Sequence, residues 1–486
     1  MQFTTLQFAL FFLCVLPLNW MLRERPGPYK AFLGAANIFF YGFLDVRFLP
    51  LLLVVAYSNW HCALLTVSFS KKSTKKAILS ANLVVNLGLL AFFKYFEFFF
   101  AQLETALLFV GWTLALPPWE ITFPIGISFF TFQGLSYAID VYRDPRKVVR
   151  GFGDVFLFVS FFPTIMSGPI LRADRFIPFL ETPRRDPEDF QAGFGLILSG
   201  LFKKIVLAGY LSEHIVRQVF QVPEACSSLT VLLGVYAYSI QIFCDFSGYS
   251  DLAMGVALLL GYKIPENFRS PYTALNLQDF WRRWHISLST WLRDYLYISL
   301  GGNRLGPGRK YLNLMITMVL GGLWHGAHTR FLLWGALHGA GLAVTHFVED
   351  LRGRGEPSHR NRYRRRIQDQ VGRAPGWLGN ILSWLLLFHF VTLLWVFFRA
   401  DDAARAWDVI RSIPAWRSGA GFEPWVVPAI LAGLAVQFTG GWTMKSFLGL
   451  QQRLPVFLQA AVIALACVVI LRLGPEGVPP FIYFQF

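Results

Sequence analysis

The stretch Ile381-Leu382-Ser383-Trp384-Leu385-Leu386-Leu387-Phe388-His389-Phe390-Val391-Thr392-Leu393-Leu394-Trp395-Val396-Phe397-Phe398 holds no charged side chain and ends at Arg399. Its length is close to the roughly 20 apolar residues a helix needs to cross a bilayer. Leu49–Val67, Ala77–Phe100 and Val456–Leu471 are blocks of the same kind. Across the chain 55% of residues are hydrophobic and only 15% charged, against roughly 25% charged in a soluble domain. Mean hydropathy is +0.47. The pattern predicts an all-α polytopic membrane protein. Apolar segments fall near 5–20, 30–45, 48–67, 77–100, 101–116, 122–140, 154–170, 193–210, 228–262, 310–325, 329–348, 377–398, 425–440 and 456–472. Some are short or interrupted, so the expectation is roughly 11–13 spanning or re-entrant helices around a central cavity.

The net charge of +15 would suggest nucleic acid in a soluble chain. Here the positive charge sits between apolar blocks: Lys71, Lys72, Lys75 and Lys76 in one loop, then Arg143, Arg146, Lys147 and Arg150 in another. A third run from Arg352 to Arg373 contains eight arginines. Such loops stay in the cytoplasm and attract anionic lipid heads, so membrane lipid is the expected partner and nucleic acid is not. Residues 1–20 lack a basic n-region and a small-residue cleavage site before Arg23, and read as a retained first helix. The chain reads as one membrane domain, 1–486. Its parts are amino-terminal helices 1–120, a core 121–348, a basic cytoplasmic loop 349–376 and carboxy-terminal helices 377–486. Cys14, Cys62, Cys226, Cys244 and Cys467 are scattered without CxxC spacing, so neither a disulfide framework nor a zinc signature is expected. There is no Walker loop, GxSxG elbow or HExxH motif, which leaves metal and serine-triad catalysis unsupported.

From Pro124 to His338, Gly, Pro and ionisable residues are interleaved with aromatics. Broken helices and charge survive in a membrane only inside protein or beside a watery cavity, which places the functional cavity in this third. Gly321-Gly322-Leu323-Trp324-His325-Gly326-Ala327 sets an imidazole between glycines that allow close approach of backbone or substrate. An imidazole can accept and return a proton near neutral pH. The alternative for His325 is a buried histidine satisfied by a neighbouring carbonyl or carboxylate.

Asp279–Tyr295 alternates charge and aromatic rings, and contains Trp281, Arg282, Arg283, His285 and Arg293. At helical spacing Trp281, Trp284, Leu288 and Trp291 share one face, as in an amphipathic helix lying in the membrane interface with its tryptophans towards lipid. Its arginines could grip the phosphates of a coenzyme. Gln241–Asp251 places Asp245 and Asp251 in an apolar stretch beside Tyr249, with Gly248 able to break the helix between them. The expected partners of those carboxylates are arginines or the amides of a broken helix end. Pro124–Gln133 leads into a polar stripe with Tyr137 and Asp140. Phe161–Pro169, which includes Ser167, reads as a proline-interrupted re-entrant piece, and His338 as a neighbour of the same cavity. His61, His214, His328, His346, His359 and His389 lack such a setting.

On these residues the chain resembles the membrane-bound O-acyltransferase family, in the branch of the bacterial alginate O-acetyltransferase membrane subunit. The resemblance runs through Phe39-Phe40-Tyr41, Asp45–Leu49, Phe92–Phe96, Pro124–Arg143, Ser167–Ile170 and Asp245–Asp251. It continues through Asn267–Tyr272, Asp279–Arg304, Leu323–Gly326 and Trp395–Arg399. It implies a ring of tilted helices with funnels from both faces meeting at a catalytic histidine, here His325, with His285 as the second motif histidine. It implies a bacterial inner-membrane enzyme with no bound cofactor that takes an acetyl group from a cytoplasmic thioester, acetyl-coenzyme A. A periplasmic SGNH-type acetyltransferase and a polysaccharide export complex are the implied partners. Trp324, Asn267, Arg269, Trp281, Arg282, Arg283, Asp245, Asp251, Tyr249, Gln241 and Ser167 are the residues expected to bind substrate or donor. Peptidoglycan acetylation and teichoic acid D-alanylation share this chemistry. A transporter or an assembly subunit is the alternative of another class, although no internal repeat is visible.

Overall fold

The computed structural model describes residues 1–113, 121–181, 187–351, 376–439, 446, 449 and 454–474; the Arg352–Arg373 loop lies outside them. Among the described residues the chain is helical, and the isolated bridge Cys226–Ala420 is its one β pairing. The helices used below are α1 (Leu6–Leu22), α2 (Pro26–Asp45), α3 (Leu49–Ser68), α4 (Lys72–Phe109), α5 (Ile127–Arg143) and α6 (Phe152–Ser160). They continue with α7 (Pro187–Leu201), α8 (Ser228–Leu259), α9 (Leu277–Arg283), α10 (Ile286–Trp291), α11 (Pro307–His325), α12 (Thr329–Leu351) and α13 (Trp377–Arg399).

Six helical stretches among the described residues are long and apolar enough to cross a membrane: Pro26–Ser68, Lys72–Phe109, Asp189–Gln221, Ser228–Leu259, Thr329–Val348 and Trp377–Arg399. Leu6–Leu22, Val426–Phe438 and Phe457–Ile470 are shorter apolar helices. The protein is therefore a multi-pass all-α membrane protein. Two segments that read separately in sequence, 77–100 and 101–116, belong largely to the single helix α4. The segment 154–170 becomes the nine-residue α6 followed by a buried turn.

Polar residues join the helices, as expected where lipid offers no hydrophobic drive for helix association. Between α3 and α4, Asn59 Nδ2 donates to Asn86 Oδ1 (2.9 Å), Asn82 Nδ2 to Asn59 Oδ1 (2.8 Å) and Asn86 Nδ2 to Ser58 Oγ (3.1 Å). The carboxy end of the central helix α8 is satisfied by α1, through Trp20 Nε1 to the Leu259 carbonyl (3.1 Å) and Asn19 Nδ2 to the Leu260 carbonyl (3.3 Å). Arg23, at the end of α1, also donates to the Leu260 carbonyl, where its charge complements the helix dipole. Cys62, Leu79 and Ala138 form one apolar cluster between α3, α4 and α5. The lysines Lys71–Lys76, which fall at the cap and first turn of α4 and not in a loop, therefore share one end of the bundle with the Arg143–Arg150 connection.

Helix α8 runs unbroken through Gly248. Gly248 instead permits a close crossing with α7 and its π-helical extension Phe202–Ala208. A Cβ there would stand 2.9 Å from the Gly200 carbonyl oxygen, and a Cβ at Gly255 would stand 2.6 Å from that of Gly193. The crossing brings Lys203 onto Asp251 (2.6 Å) and Lys204 onto Asp245, so lysines pair with the two carboxylates where arginines or helix-end amides were expected. Ser199 Oγ adds a bond to Asp251 (2.9 Å). Removing one member of a buried pair strands the other charge at about 3–5 kcal/mol. Lys204→Met is therefore expected to lower the thermal midpoint in detergent sharply, and Lys204→Met/Asp245→Leu to regain most of it. Wild-type stability in the single variant would show that the pair does not hold this crossing.

Candidate active site

Helices α11 and α12 form a hairpin whose tightness comes from glycine. A Cβ on Gly322 would lie 2.2 Å from the Phe331 carbonyl oxygen, and one on Gly335 would lie 2.4 Å from that of Met318. His325 is the last residue of α11, so the hairpin fixes its ring at the turn. The ring is buried among Trp324, Trp334 and Phe398, with centroids 5.0, 5.2 and 5.1 Å away, all edge-on. The glycines flanking the motif thus provide the close approach that the sequence suggested. Gly321 and Gly322 lie inside the helix, however, where their amides are engaged in the i to i−4 ladder. They are not free to donate to substrate.

A cavity of about 220 Å³ reaches His325. Its lining includes Trp324, Ser167 and Met166, Gly126, Ser128 and Phe129 of the α5 entry, and Lys94 of α4. Gly126 takes a left-handed turn (φ +82°), and a Cβ there would meet the Ile165 carbonyl oxygen at 2.4 Å, so only glycine fits. The adjoining segment, residues 161–170, is non-helical yet buried. Its backbone is satisfied from within the protein, as a non-helical segment at membrane depth requires. Phe162 N donates to Asn37 Oδ1 (3.0 Å), Ile170 N to Ser287 Oγ (2.9 Å) and Gly168 N to the Thr164 carbonyl (3.0 Å).

Lys94 is the cavity residue that sequence reasoning passed over. It stands inside a long apolar helix, where an ionisable side chain is itself the signal of function. Its ammonium donates to the Trp324 carbonyl and approaches Ser128 Oγ (3.4 Å). It also faces the rings of Trp324, Phe123 and Tyr95 at 5.6, 5.6 and 5.9 Å. The neighbouring Tyr95 hydroxyl bonds the Leu323 carbonyl (3.0 Å), so α4 clamps the chain immediately before His325 from two positions.

His285 lies behind Trp324, with ring centroids 5.9 Å apart, and its own backbone is left-handed (φ 42°). That turn divides the expected amphipathic helix into α9 and α10. Trp284, Leu288 and Trp291 consequently face the protein interior instead of lipid. The strained turn is held by Asn267, whose carbonyl accepts from Ile286 N (2.9 Å) and whose Oδ1 accepts from Ser287 N (3.2 Å). A left-handed non-glycine residue costs about 1–3 kcal/mol, and such strain gathers at functional sites. Neither ring nitrogen of His285 or of His338 has a hydrogen-bond partner among the described residues. His338 packs on Trp334 and Trp281 at 4.6 and 5.1 Å, and Trp334 in turn packs on His325. His285, Lys94 and His338 are all within electrostatic range of His325.

The remaining expected site residues lie outside the cavity lining. Asp245 and Asp251 are spent on the α7–α8 ion pairs. Tyr249 is buried against Phe3 (5.0 Å), and Gln241 is half-buried in α8. Arg283 pairs with Asp279 (3.0 Å) and Arg269 with Glu266. Arg269 N donates to the Arg283 carbonyl (3.0 Å), so these two share one patch with the exposed Arg282. Among the other histidines, His214 engages Glu423 (2.9 Å) and His389 engages Tyr236 (2.7 Å), remote from this site.

The assembled features are a buried imidazole and a lysine that line one cavity, an arrangement suited to acyl transfer. Residues 149–393 match the model of the membrane-bound O-acyltransferase family. A Pseudomonas putida protein named as a probable alginate O-acetylase is 33% identical, the match covering 93% of each chain. The peptidoglycan O-acetyltransferase of Helicobacter pylori is 34% identical over 79% of this chain and 73% of that protein. The teichoic acid D-alanyltransferase of Bacillus subtilis is 30% identical over 48% of this chain and 61% of that protein. A multi-pass helical architecture, a family match across the core that holds His285 and His325, and alignment with an alginate O-acetylase homologue over nearly the whole length agree: the chain belongs to the membrane-bound O-acyltransferase family and is an O-acyltransferase.

Proposed function

We propose that this enzyme carries an acetyl group from acetyl-coenzyme A on the cytoplasmic face towards hydroxyls of an exported polysaccharide such as alginate, with His325 as general base. One observation carries the reading: the His325 cavity lies at the Gly126 end of α5, while the basic clusters Lys71–Lys76 and Arg143–Arg150 lie at its Arg143 end. Lys/Arg-rich segments are retained in the cytoplasm, so the cavity lies towards the opposite compartment, where an exported polymer or its carrier would be met, and the thioester has to reach it from the basic side through the protein. The near full-length likeness to a probable alginate O-acetylase supports the acceptor class.

In the reaction an acceptor hydroxyl gives its proton to His325 as its oxygen attacks the thioester carbonyl. The tetrahedral intermediate then expels the thiolate, which takes the proton from the imidazolium and leaves as free coenzyme. The enzyme itself holds no cofactor in this scheme. A periplasmic SGNH-type acetyltransferase would complete delivery to polymer within an export complex. The peptidoglycan O-acetyltransferase relative supports the same chemistry on a cell-wall acceptor.

The test is reconstitution in vesicles, with acetyl-labelled coenzyme A on the basic-loop side and alginate plus a periplasmic acetyltransferase on the other. Label is expected to reach the polymer. Label confined to coenzyme and its own compartment would overturn the reading, and replacing alginate by peptidoglycan fragments separates the two acceptors.

A further inference from the structure

We propose that Lys94 is a catalytic residue of this transfer, the donor that receives the thioester carbonyl oxygen as it becomes an oxyanion. This deepens the proposed function and rests on His325 being the base. The first observation is placement: Lys94 and His325, from helices far apart in sequence, line the same small cavity. The second is valence. An ammonium has three N–H donors; one is given to the Trp324 carbonyl and one faces Ser128 Oγ, which leaves the third for the cavity. The third is charge. No carboxylate lies within ion-pair distance of Lys94 among the described residues, and Glu97, one turn along α4, instead accepts from Ile121 N (3.3 Å). A membrane-embedded cation with no carboxylate partner among the described residues is poised for negative charge that arrives with, or develops on, substrate.

The fourth observation is elimination within the motif. The Gly321 and Gly322 amides are engaged inside α11, so these two glycines do not supply the oxyanion donors. Holding Lys94 to the carbonyl of Trp324, the residue directly before His325, also sets cation and base in fixed register. The step balances. The hydroxyl oxygen bonds to the acyl carbon while the carbonyl π pair moves onto oxygen and is held by the Lys94 N–H, and the hydroxyl proton passes to His325. When the C=O re-forms, the C–S bond breaks and the thiolate takes the proton from His325. Lys94 keeps all its protons throughout.

The test uses full-length protein in detergent with acetyl-coenzyme A and a hydroxyl acceptor. Lys94→Met is expected to lower kcat about 10²- to 10³-fold, with the dissociation constant for acetyl-coenzyme A changed less than threefold. Should Lys94→Met fail to elute as a monodisperse species in gel filtration, Lys94→Gln takes its place. It keeps donors for the Trp324 carbonyl and Ser128 but lacks the charge, and the same kcat loss is expected. A folded variant with kcat within threefold of wild type would overturn the proposal. So would intact kcat with a raised KM for donor or acceptor, which would mark Lys94 as a ground-state anion clamp. His325→Ala measured in parallel separates the two claims: activity in that variant would sink the base, whereas activity in the Lys94 variants would sink the oxyanion donor alone.

Discussion

His325→Ala is expected to abolish acetyl transfer while the protein still inserts and purifies as wild type. The imidazole contributes proton transfer, about 10²–10⁴ in rate, and its ring also fills space between Trp324, Trp334 and Phe398. Truncation therefore opens a cavity as well as removing a base, so His325→Gln is the better-matched companion. It retains much of the volume and a hydrogen-bonding group but cannot cycle a proton. Both variants are expected to fall below detection in a coenzyme-release assay, with Gln the more stable of the two. Normal acetyl content of polymer in cells carrying either variant would contradict a proton-transfer role.

The second large effect is structural and sits three residues away. Gly322→Val is expected to yield no monodisperse protein. Its Cβ alone would lie 2.2 Å from the Phe331 carbonyl oxygen and 3.1 Å from Gly335 Cα. Both are backbone atoms that no rotamer change can move aside. Overpacking a core costs about 1–3 kcal/mol where side chains can shift, and more where they cannot. The α11–α12 hairpin would have to open, taking His325 with it. Gly308→Ala is the control: at the start of α11 an added Cβ meets nothing within 4 Å, and wild-type behaviour is expected. If Gly322→Val elutes and melts as wild type, the close crossing is not what fixes the histidine.

The membrane class was legible from Ile381–Phe398 and its like, because a span announces itself through composition alone. His325 was legible for a local reason: an imidazole between glycines is unusual whatever surrounds it. What sequence could not supply was pairing across the bundle. Lys203 and Lys204 fall within the apolar segment 193–210, and only the Gly200–Gly248 crossing shows them opposite Asp251 and Asp245. Gly248 read as a breaker because glycine lacks a Cβ, yet the same lack permits a straight helix to touch its neighbour. The Asp279–Tyr295 pattern fitted a helix lying on lipid. One left-handed residue, His285, turned its tryptophans inward, and the reason lies at Asn267, a dozen and a half positions upstream. Lys94 stood in sequence only as part of the Phe92–Phe96 motif, and its place beside His325 emerges only when α4 packs against the end of α11.

The most direct measurement is the time course of free coenzyme release from labelled acetyl-coenzyme A by purified wild-type and His325→Gln protein, with hydroxyl acceptor present and absent. Acceptor-dependent release by wild type, and none above background by the variant, is the predicted result. Equal release by both proteins, or none by wild type with any acceptor, would contradict His325-dependent acyl transfer.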